Sequence, residues 1–228
     1  MPTIAKTEYR THGGTLLVAK PTAAFVDYIA HHYGSDGCRL GADEFFTENG
    51  LYYHRHLNGD LAPLPGGYTT LLRCDTAACG EVATREDLFE IEMYAFYGCT
   101  GITRILLPQQ RGPLALTAGA FAGCTALEEL TLPAGTTYDY NVLLDCRSLR
   151  RLTLPDGGAD FDDDEDETFD GFAYVAGLVE QLPYETLAAL TLCAPAGSPA
   201  EQYARAQGLA FEAPRLPEKR PAFTSARV

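Results

Sequence analysis

Cysteines are the most reactive side chains in this sequence: there are seven, spread from Cys38 to Cys193 without a Cys-x-x-Cys pair. Their odd number leaves at least one thiol unpaired, and a chain of 228 residues can build a core without disulfide bonds. Three of them, Cys99, Cys124 and Cys146, follow one another at intervals of 25 and 22 residues. A catalytic set needs no such period, and a buried cysteine behaves as a small apolar residue. The spacing therefore predicts structural thiols at repeated positions.

Two histidines, His54 and His56, lie two residues apart in a predicted strand and therefore on one face of it. His31, His32 and Cys38 are the side chains that could complete a zinc site with them. The spacing matches no zinc motif, and two imidazoles alone do not fix a tetrahedral ion. The pattern favours a partly exposed pair on a hairpin over a metal site.

An acidic stretch, residues 156–170, holds nine carboxylates and no basic side chain. Asp160, Asp162 and Asp164 imitate the first three ligand positions of a calcium loop. The imitation then fails, because an acidic residue replaces the turn glycine and a glycine replaces the final bidentate glutamate. Residues 160–167 are predicted to be a solvated acidic loop, and no cofactor is predicted. The alternative is a cation-binding protein or metal-dependent enzyme that uses this loop or the histidines.

The sequence carries none of the common catalytic or nucleotide-binding signatures: Gly-x-Ser-x-Gly, Gly-x-Gly-x-x-Gly, a Walker loop or His-Glu-x-x-His. We therefore predict no catalytic residues and no enzymatic activity. The net charge of −14, from 17 basic and 31 acidic residues, opposes binding to nucleic acid or to an anionic membrane. Without an apolar segment of membrane-spanning or signal-peptide length, the chain as written is expected in the cytoplasm without membrane insertion. A truncated gene start would instead allow the cell surface.

One block recurs along the chain and must position these residues. Gly-Cys-Thr-Gly-Ile-Thr-Arg-Ile-Leu-Leu-Pro at residues 98–108 returns as Gly-Cys-Thr-Ala-Leu-Glu-Glu-Leu-Thr-Leu-Pro at residues 123–133. A third copy occupies residues 145–155, and a weaker fourth occupies residues 187–192. Repeats with periods of this size indicate a solenoid, in which each unit buries its apolar face against the next.

Each copy predicts one strand and one return leg. The alternating apolar positions of Leu-x-Leu-Pro are typical of a half-buried strand that ends at proline. Ala-Phe-x-Gly-Cys, which contains Phe96 and later Phe121, precedes the first two copies and forms the return leg. Stacking places like strands side by side in a parallel sheet, and such crossovers are right-handed. The predicted fold is an α/β repeat: a right-handed solenoid with parallel β-strands and short helical return legs, plus a small α+β N-terminal cap.

The combined pattern resembles the BspA-type, or Treponema-type, leucine-rich repeat, whose hallmark is Ala-Phe-x-x-Cys-x-x-Leu-x-x-Ile-x-Ile-Pro. The resemblance covers about residues 92–212 and includes a segment, residues 194–204, that is similar to the terminal unit of such arrays. It implies a leucine-rich-repeat solenoid that acts as a protein-protein interaction module, frequently on bacterial surfaces. A structural segment of a bacterial surface protein is a further alternative.

The same reasoning divides the chain into three parts. The non-repeating residues 1–90 should cap the first apolar edge of the solenoid, and the basic, proline-rich end should be an extended tail. The predicted cap occupies residues 1–90, with a helix at about 22–33, a hairpin at about 51–63 and no assigned structure at 64–90. The solenoid follows at 91–212 and contains an acidic insertion at 156–170. The tail occupies residues 213–228.

The exposed strand face is the predicted place for binding a protein partner. If Ile102, Ile105 and Leu107 point inward, the charged residues between and beside them point outward. When the strands pair in register, Arg104, Glu129 and Arg151 form a column of alternating charge. These side chains either form ion pairs with one another or recognise a protein partner. The candidate protein-binding residues are Arg104, Glu128, Glu129, Arg150, Arg151, Tyr138 and Tyr140.

Overall fold

The computed structural model describes six parts of the chain: residues 6–11, 14–19, 44–56, 68–109, 114–158 and 170–214. Several predicted features lie outside them. These are the helix at 22–33, residues 57–63 of the predicted hairpin, the acidic residues 160–167, His31, His32 and Cys38, and all but the first two residues of the tail at 213–228.

The described residues form fourteen strands and three helices. The strands are β1 (Lys6–Thr11), β2 (Gly14–Ala19), β3 (Glu44–Glu48), β4 (Leu51–His56), β5 (Tyr68–Cys74), β6 (Cys79–Ala83), β7 (Leu88–Ile91), β8 (Gly101–Leu106), β9 (Ala115–Leu116), β10 (Glu129–Thr131), β11 (Thr137–Tyr138), β12 (Arg151–Thr153), β13 (Thr191–Cys193) and β14 (Ala210–Glu212). The helices are α1 (Gly171–Val179), α2 (Tyr184–Ala188) and α3 (Pro199–Gln207).

Two sheets divide these strands between them. The six-stranded sheet has the order β14-β13-β12-β10-β8-β6, and each of its strand pairs is parallel. The eight-stranded sheet has the order β1-β2-β3-β4-β5-β7-β9-β11 and becomes parallel from β5 onward. From β6 to β12 the chain alternates between the sheets, so each repeat contributes one strand to each. Repeats of 22 to 25 residues are long enough for the crossover that parallel pairing requires.

The N-terminal strands extend the eight-stranded sheet. Strand β4, which begins where the predicted hairpin begins, pairs antiparallel with β3 and with β5. Asn49 and Gly50 join β3 to β4 with φ angles of 51° and 77°. Positive φ at both central residues is what the favoured two-residue hairpin turn requires, and Asn-Gly supplies it with little strain. The described hairpin therefore turns at Asn49-Gly50.

The return legs differ from the predicted short helices. The first, second and third legs, at residues 93–98, 118–123 and 140–145, are turns rather than α-helices. Each contains two residues in the left-handed region at equivalent positions, which an α-helix cannot accommodate. The first residues of these pairs have φ of 56°, 65° and 62°, and the second have φ of 79°, 73° and 64°. They are Tyr94, Gly119 and Asn141, then Gly98, Gly123 and Asp145. Helices occur only in the later connections of the described chain, from β12 to β13 and from β13 to β14.

The core runs through the repeats as stacks of equivalent residues. Phe96 and Phe121 are fully buried, with ring centroids 5.4 Å apart. The third leg replaces Ala-Phe by Val142 and Leu143, which are also buried. The backbone holds these legs in register, since the Phe121 N–H donates to the Val142 carbonyl at 3.0 Å. Apolar side chains of similar size at the same position therefore give one continuous core.

Candidate functional site

The exposed face of the six-stranded sheet alternates with its buried face as a half-buried strand should. Along β8 and just after it, Ile102, Ile105 and Leu107 are buried, whereas Arg104 and Leu106 are exposed. From Arg104 to Leu107 this pattern follows the two-residue period of a strand. Ile102 is also buried because the register between β6 and β8 shifts by one residue between Ile102 and Arg104. The outward positions of β8, β10 and β12 therefore form one surface above the core.

A column of alternating charge crosses this surface. Strand register pairs Glu81 with Arg104, Arg104 with Glu129, and Glu129 with Arg151, and we call these four residues the charge column. Arg104 bridges two carboxylates, at 3.5 Å from Glu81 and 3.3 Å from Glu129. The predicted Arg104-Glu129-Arg151 register is therefore present, and the structure adds Glu81 at its N-terminal end.

At the other end of the charge column, Arg151 forms an ion pair at 2.7 Å with Glu212 of β14, across the intervening strand β13. Its hydrogen bond to Glu212 raises the pKa of Arg151, and the same bond lowers the pKa of Glu212. Glu128 and Arg150 are exposed immediately before β10 and β12, where the Glu128 carbonyl accepts from the Arg150 N–H at 2.8 Å. With these residues the face presents four acidic and three basic side chains.

The cysteine stack lies beneath this surface. The Cys124 thiol donates to the Phe96 carbonyl at 3.4 Å, and the Cys146 thiol donates to the Phe121 carbonyl at 3.2 Å. Each sulfur thus bonds to the leg of the preceding repeat. Burial raises the pKa of Cys146 to about 12 and that of Cys124 still further, so both thiols stay protonated and unreactive at neutral pH.

Comparison with known protein families agrees with this geometry. Residues 75–170 match the family model of the BspA type leucine rich repeat region, in six copies. This part of the chain is similar to BspA-type leucine-rich repeats. A search of curated proteins found no match, and a search of solved structures found none.

The BspA-type repeats begin earlier in the chain than the sequence pattern indicates. The family match starts at residue 75, within the region predicted as a non-repeating cap at 1–90. Strand β6 lies in this region and pairs parallel with β8, as the later repeat strands pair with one another. The Leu-x-Leu-Pro block is absent from β6, so the pattern used to find the repeats could not locate it.

The two predicted tyrosines do not lie beside the charge column, which corrects the proposed grouping. Tyr138 belongs to β11 of the eight-stranded sheet, and Tyr140 begins the third leg just after it. The Tyr138 hydroxyl donates to the Tyr174 carbonyl of α1, and the two rings are 4.8 Å apart. Burial raises the pKa of Tyr138 to about 12. Tyr138 is thus an anchor for α1, whereas Tyr140 is exposed on another surface.

A cleft of about 560 Å³ lies between the β3–β4 hairpin and the loop that follows β6. Arg85 bonds to Asp87 at 2.7 Å and to Glu48 at 2.8 Å, and thereby joins the loop to the hairpin. The guanidinium carbons of Arg55 and Arg85 each lie 5.2 Å from the ring centroid of Phe46. The charged groups of the cleft thus bind one another, and these contacts attach the loop after β6 to the β3–β4 hairpin. The loop side of the cleft, residues 83–87, falls within residues 64–90, for which the sequence predicted no structure.

Asp87 shows how the ion pairs of this cleft affect ionisation. Burial disfavours its charged form, but the hydrogen bond and charge of Arg85 outweigh that effect, so the pKa of Asp87 lies below its ordinary value. Burial likewise opposes the charge on Arg85, yet its hydrogen bonds to Asp87 and Glu48 raise the pKa of Arg85. Both groups are therefore charged throughout the neutral range.

The histidine and acidic candidates remain predictions. His54 is buried in β4, and in the parts of the chain with described placement no group of three or more His, Cys, Asp or Glu side chains is arranged to hold a metal ion. No helix of those parts is long and apolar enough to cross a membrane.

Proposed function

We propose that the protein is a non-enzymatic protein-interaction module, in which a right-handed solenoid presents the outer face of the six-stranded sheet to a protein partner. The observation that supports this most is the charge column, which places four charged side chains at one position of four adjacent strands. The match to a repeat family whose modules generally bind proteins supports the same conclusion.

The geometry suits recognition because the backbone beneath the charges is fixed before the partner arrives. Parallel pairing sets the spacing between the backbones of neighbouring strands, from which these charged side chains project, at about 4.8 Å. A surface already ordered loses less conformational entropy on binding than a mobile loop does. Arginine is enriched at the residues that contribute most to binding, and Arg104 and Arg151 occupy alternate strands of this face.

The ion pairs within the face do not prevent it from binding a protein partner. The side chains of Arg104 and Glu129 remain 50% and 47% exposed, so their charged groups are accessible to a partner. Exposed pairs of this kind contribute only about 0.2–1 kcal/mol to folding, because water screens them and the side chains lose entropy. A partner with charges in the complementary order can therefore compete for these groups.

The test is recovery of partners with the variant Arg104→Glu/Arg151→Glu from native cell extract, followed by quantitative mass spectrometry. We expect the double variant to lose the partners that the wild-type chain recovers. The matched control is Arg147→Glu/Arg205→Glu, which makes the same change of charge at exposed residues outside the face and should retain them. Retention of every partner by the first variant would exclude this face.

A further inference from the structure

A second surface, formed by the return legs, carries most of the large exposed apolar side chains. Of the seven such side chains in the described residues, five lie on two legs. The first leg exposes Met93, Tyr94 and Tyr97, and the third leg exposes Tyr140 and Leu144. We call these five residues the aromatic face. Exposures of 57% for Tyr97 and 65% for Tyr140 leave both rings accessible to a ligand.

The five side chains belong to the first and third of three stacked legs. The Tyr94 N–H donates to the Ala118 carbonyl at 3.1 Å, and the Gly119 N–H donates to the Tyr140 carbonyl at 3.0 Å. The Gly123 N–H likewise donates to the Leu144 carbonyl at 2.8 Å. The second leg thus lies directly between the other two, with a hydrogen-bonded neighbour on each side.

The second leg carries small residues where the other two carry large ones. A side chain at Gly119 would overlap the ring of Tyr94, and a Cβ at Gly123 would lie 3.6 Å from the ring of Tyr97. Ala118 and Ala122, the neighbouring positions, are buried. The second leg is therefore a row of small residues between two legs with large side chains. The Tyr94 ring lies over Gly119, and its centroid is 5.7 Å from that of Tyr97 in an edge-to-face arrangement.

Carboxylates border the aromatic face on one side. The Thr117 N–H donates to the Ile91 carbonyl at 3.0 Å and the Asp139 N–H donates to the Leu116 carbonyl at 2.9 Å, so Glu92 and Asp139 occupy equivalent positions two repeats apart. These positions directly precede Met93 and Tyr140 in the chain. Within the described part of the molecule, neither carboxylate forms an ion pair with a basic side chain.

The neighbouring Glu90 shows the effect of this unneutralised charge. Burial is the largest cause of its raised pKa, and the negative charges of Glu92 and Asp139 add to it, against the lowering effect of the hydrogen bond from Thr70. The edge of the aromatic face therefore has a negative potential, which a cation would relieve. This contrasts with the six-stranded sheet, where each charge-column residue has an opposite charge beside it.

We propose that the aromatic face docks a segment of a partner protein bearing arginine or lysine side chains, with the tyrosine rings packing on those side chains and Glu92 and Asp139 supplying the opposite charge. Tyrosine rings attract cations over their faces, and the aliphatic stems of arginine and lysine cover apolar surface. Charge complementarity thus identifies the occupant as a cationic peptide segment. The inference rests on the proposed interaction function and adds a second surface to it.

Fluorescence anisotropy with a short labelled peptide of alternating Arg and Ser tests the proposal on the full chain. We expect binding that weakens as salt is raised, because salt screens the attraction of Glu92 and Asp139. Tyr97→Ala/Tyr140→Ala should weaken binding about tenfold, since each exposed cation–ring contact accounts for a few-fold. Glu92→Gln/Asp139→Asn should also weaken it and should flatten the salt dependence.

Two controls separate this surface from the rest of the molecule. Tyr184→Ala removes a ring that is 79% exposed at the start of α2 and should leave peptide affinity unchanged. Arg104→Glu/Arg151→Glu should also leave peptide affinity unchanged, so failure of the sheet-face proposal and failure of this one are distinguishable. Equal affinity of the wild-type chain and Tyr97→Ala/Tyr140→Ala, with unchanged melting temperatures, would overturn the proposal.

The chain's own basic residues provide a further outcome. Arg215, Lys219, Arg220 and Arg227 lie near the C-terminus of the sequence. A variant with glutamine at these four positions removes their charge. If this variant binds the peptide and the wild-type chain does not, the chain's own C-terminal segment occupies the aromatic face, and the assignment to a partner protein is overturned. Equal binding by both chains supports the partner protein.

Discussion

At the scale of single residues, position in the repeat controls the chemistry of the thiols. Cys99, Cys124 and Cys146 are fully buried, whereas Cys79 is exposed in β6. The six cysteines of the described chain are all free thiols. Since only an accessible thiolate reacts readily, burial should make the three stacked cysteines inert despite their reduced state, and burial also raises the pKa of Cys124 and Cys146.

A brief iodoacetamide pulse on the native protein should therefore label Cys79 and leave the three stacked cysteines unmodified. The reason is access: the stacked thiols reach solvent only when the repeats open. Site-resolved mass spectrometry measures the extent of labelling, and the same pulse in urea supplies the fully labelled control. Native labelling of Cys124 or Cys146 at the rate of Cys79 would be inconsistent with the stacked repeats.

The Arg85–Asp87 pair predicts a pH dependence of stability. The pKa of Asp87 is lowered in the folded chain, so its stabilisation is fully present above the unfolded pKa of about 3.9 and is lost as pH falls through the folded pKa. Asp87→Asn should lower the free energy of unfolding by about 1–2 kcal/mol at neutral pH, because a hydrogen bond to a charged group is lost. The difference from wild type should disappear in acid.

Chemical denaturation of both chains at neutral pH and in acid measures this difference. The control is Asp145→Asn, because Asp145 also pairs with an arginine but is more exposed, and asparagine tolerates its left-handed backbone. That variant should show no measurable change. A loss of stability for Asp87→Asn that persists at acid pH would exclude the charge of Asp87 as its cause.

At the scale of secondary-structure elements, repeat copies made the strands of the six-stranded sheet predictable. β8, β10, β12 and β13 fall on the blocks of alternating apolar residues, and the alignment of the copies, at offsets of 25 and 22 residues, predicted the register of Arg104, Glu129 and Arg151. Glu81 and Glu212 lie outside the blocks, so the pattern could not add them to the exposed charged face.

Neither the eight-stranded sheet nor the turns of the return legs could be predicted, because the local sequence carries too little signal for them. β9 and β11 are two residues long, too short to show an alternating pattern. The left-handed positions hold Tyr94, Asn141 and Asp145 as well as glycine, so the repeated backbone conformation is hidden in the sequence. Without the second sheet, Tyr138 and Tyr140 were placed on the wrong surface.

The packing of α1 gives a prediction at this scale. Alanine normally stabilises a helix relative to glycine by about 1 kcal/mol. At Gly171, however, an added Cβ would overlap the carbonyl oxygen of Gly158, and a backbone atom cannot move aside as a flexible side chain can. Gly171→Ala should therefore lower the melting temperature. Thermal unfolding followed by circular dichroism measures it, and an increase would show that α1 does not pack closely against Gly158.

At the scale of the whole molecule, charge defines two different surfaces. The six-stranded sheet balances its charges along the charge column and places Glu81 and Glu212 on the strands at its described edges, β6 and β14. Charged edge strands discourage uncontrolled pairing with another sheet. The aromatic face instead combines exposed rings with carboxylates that form no ion pair with a basic side chain in the described structure. The two surfaces should therefore prefer partners of different chemistry.

The central claim is that the order of charges on the six-stranded sheet recognises a partner. A complete exchange of sign at Glu81, Arg104, Glu129, Arg151 and Glu212, each acidic residue to arginine and each arginine to glutamate, preserves opposite neighbours while reversing the pattern that a partner meets. The decisive measurement is the affinity of this variant for a partner recovered with the wild-type chain. We predict an unchanged melting temperature and lost binding; a folded variant that binds as tightly as wild type would contradict the claim.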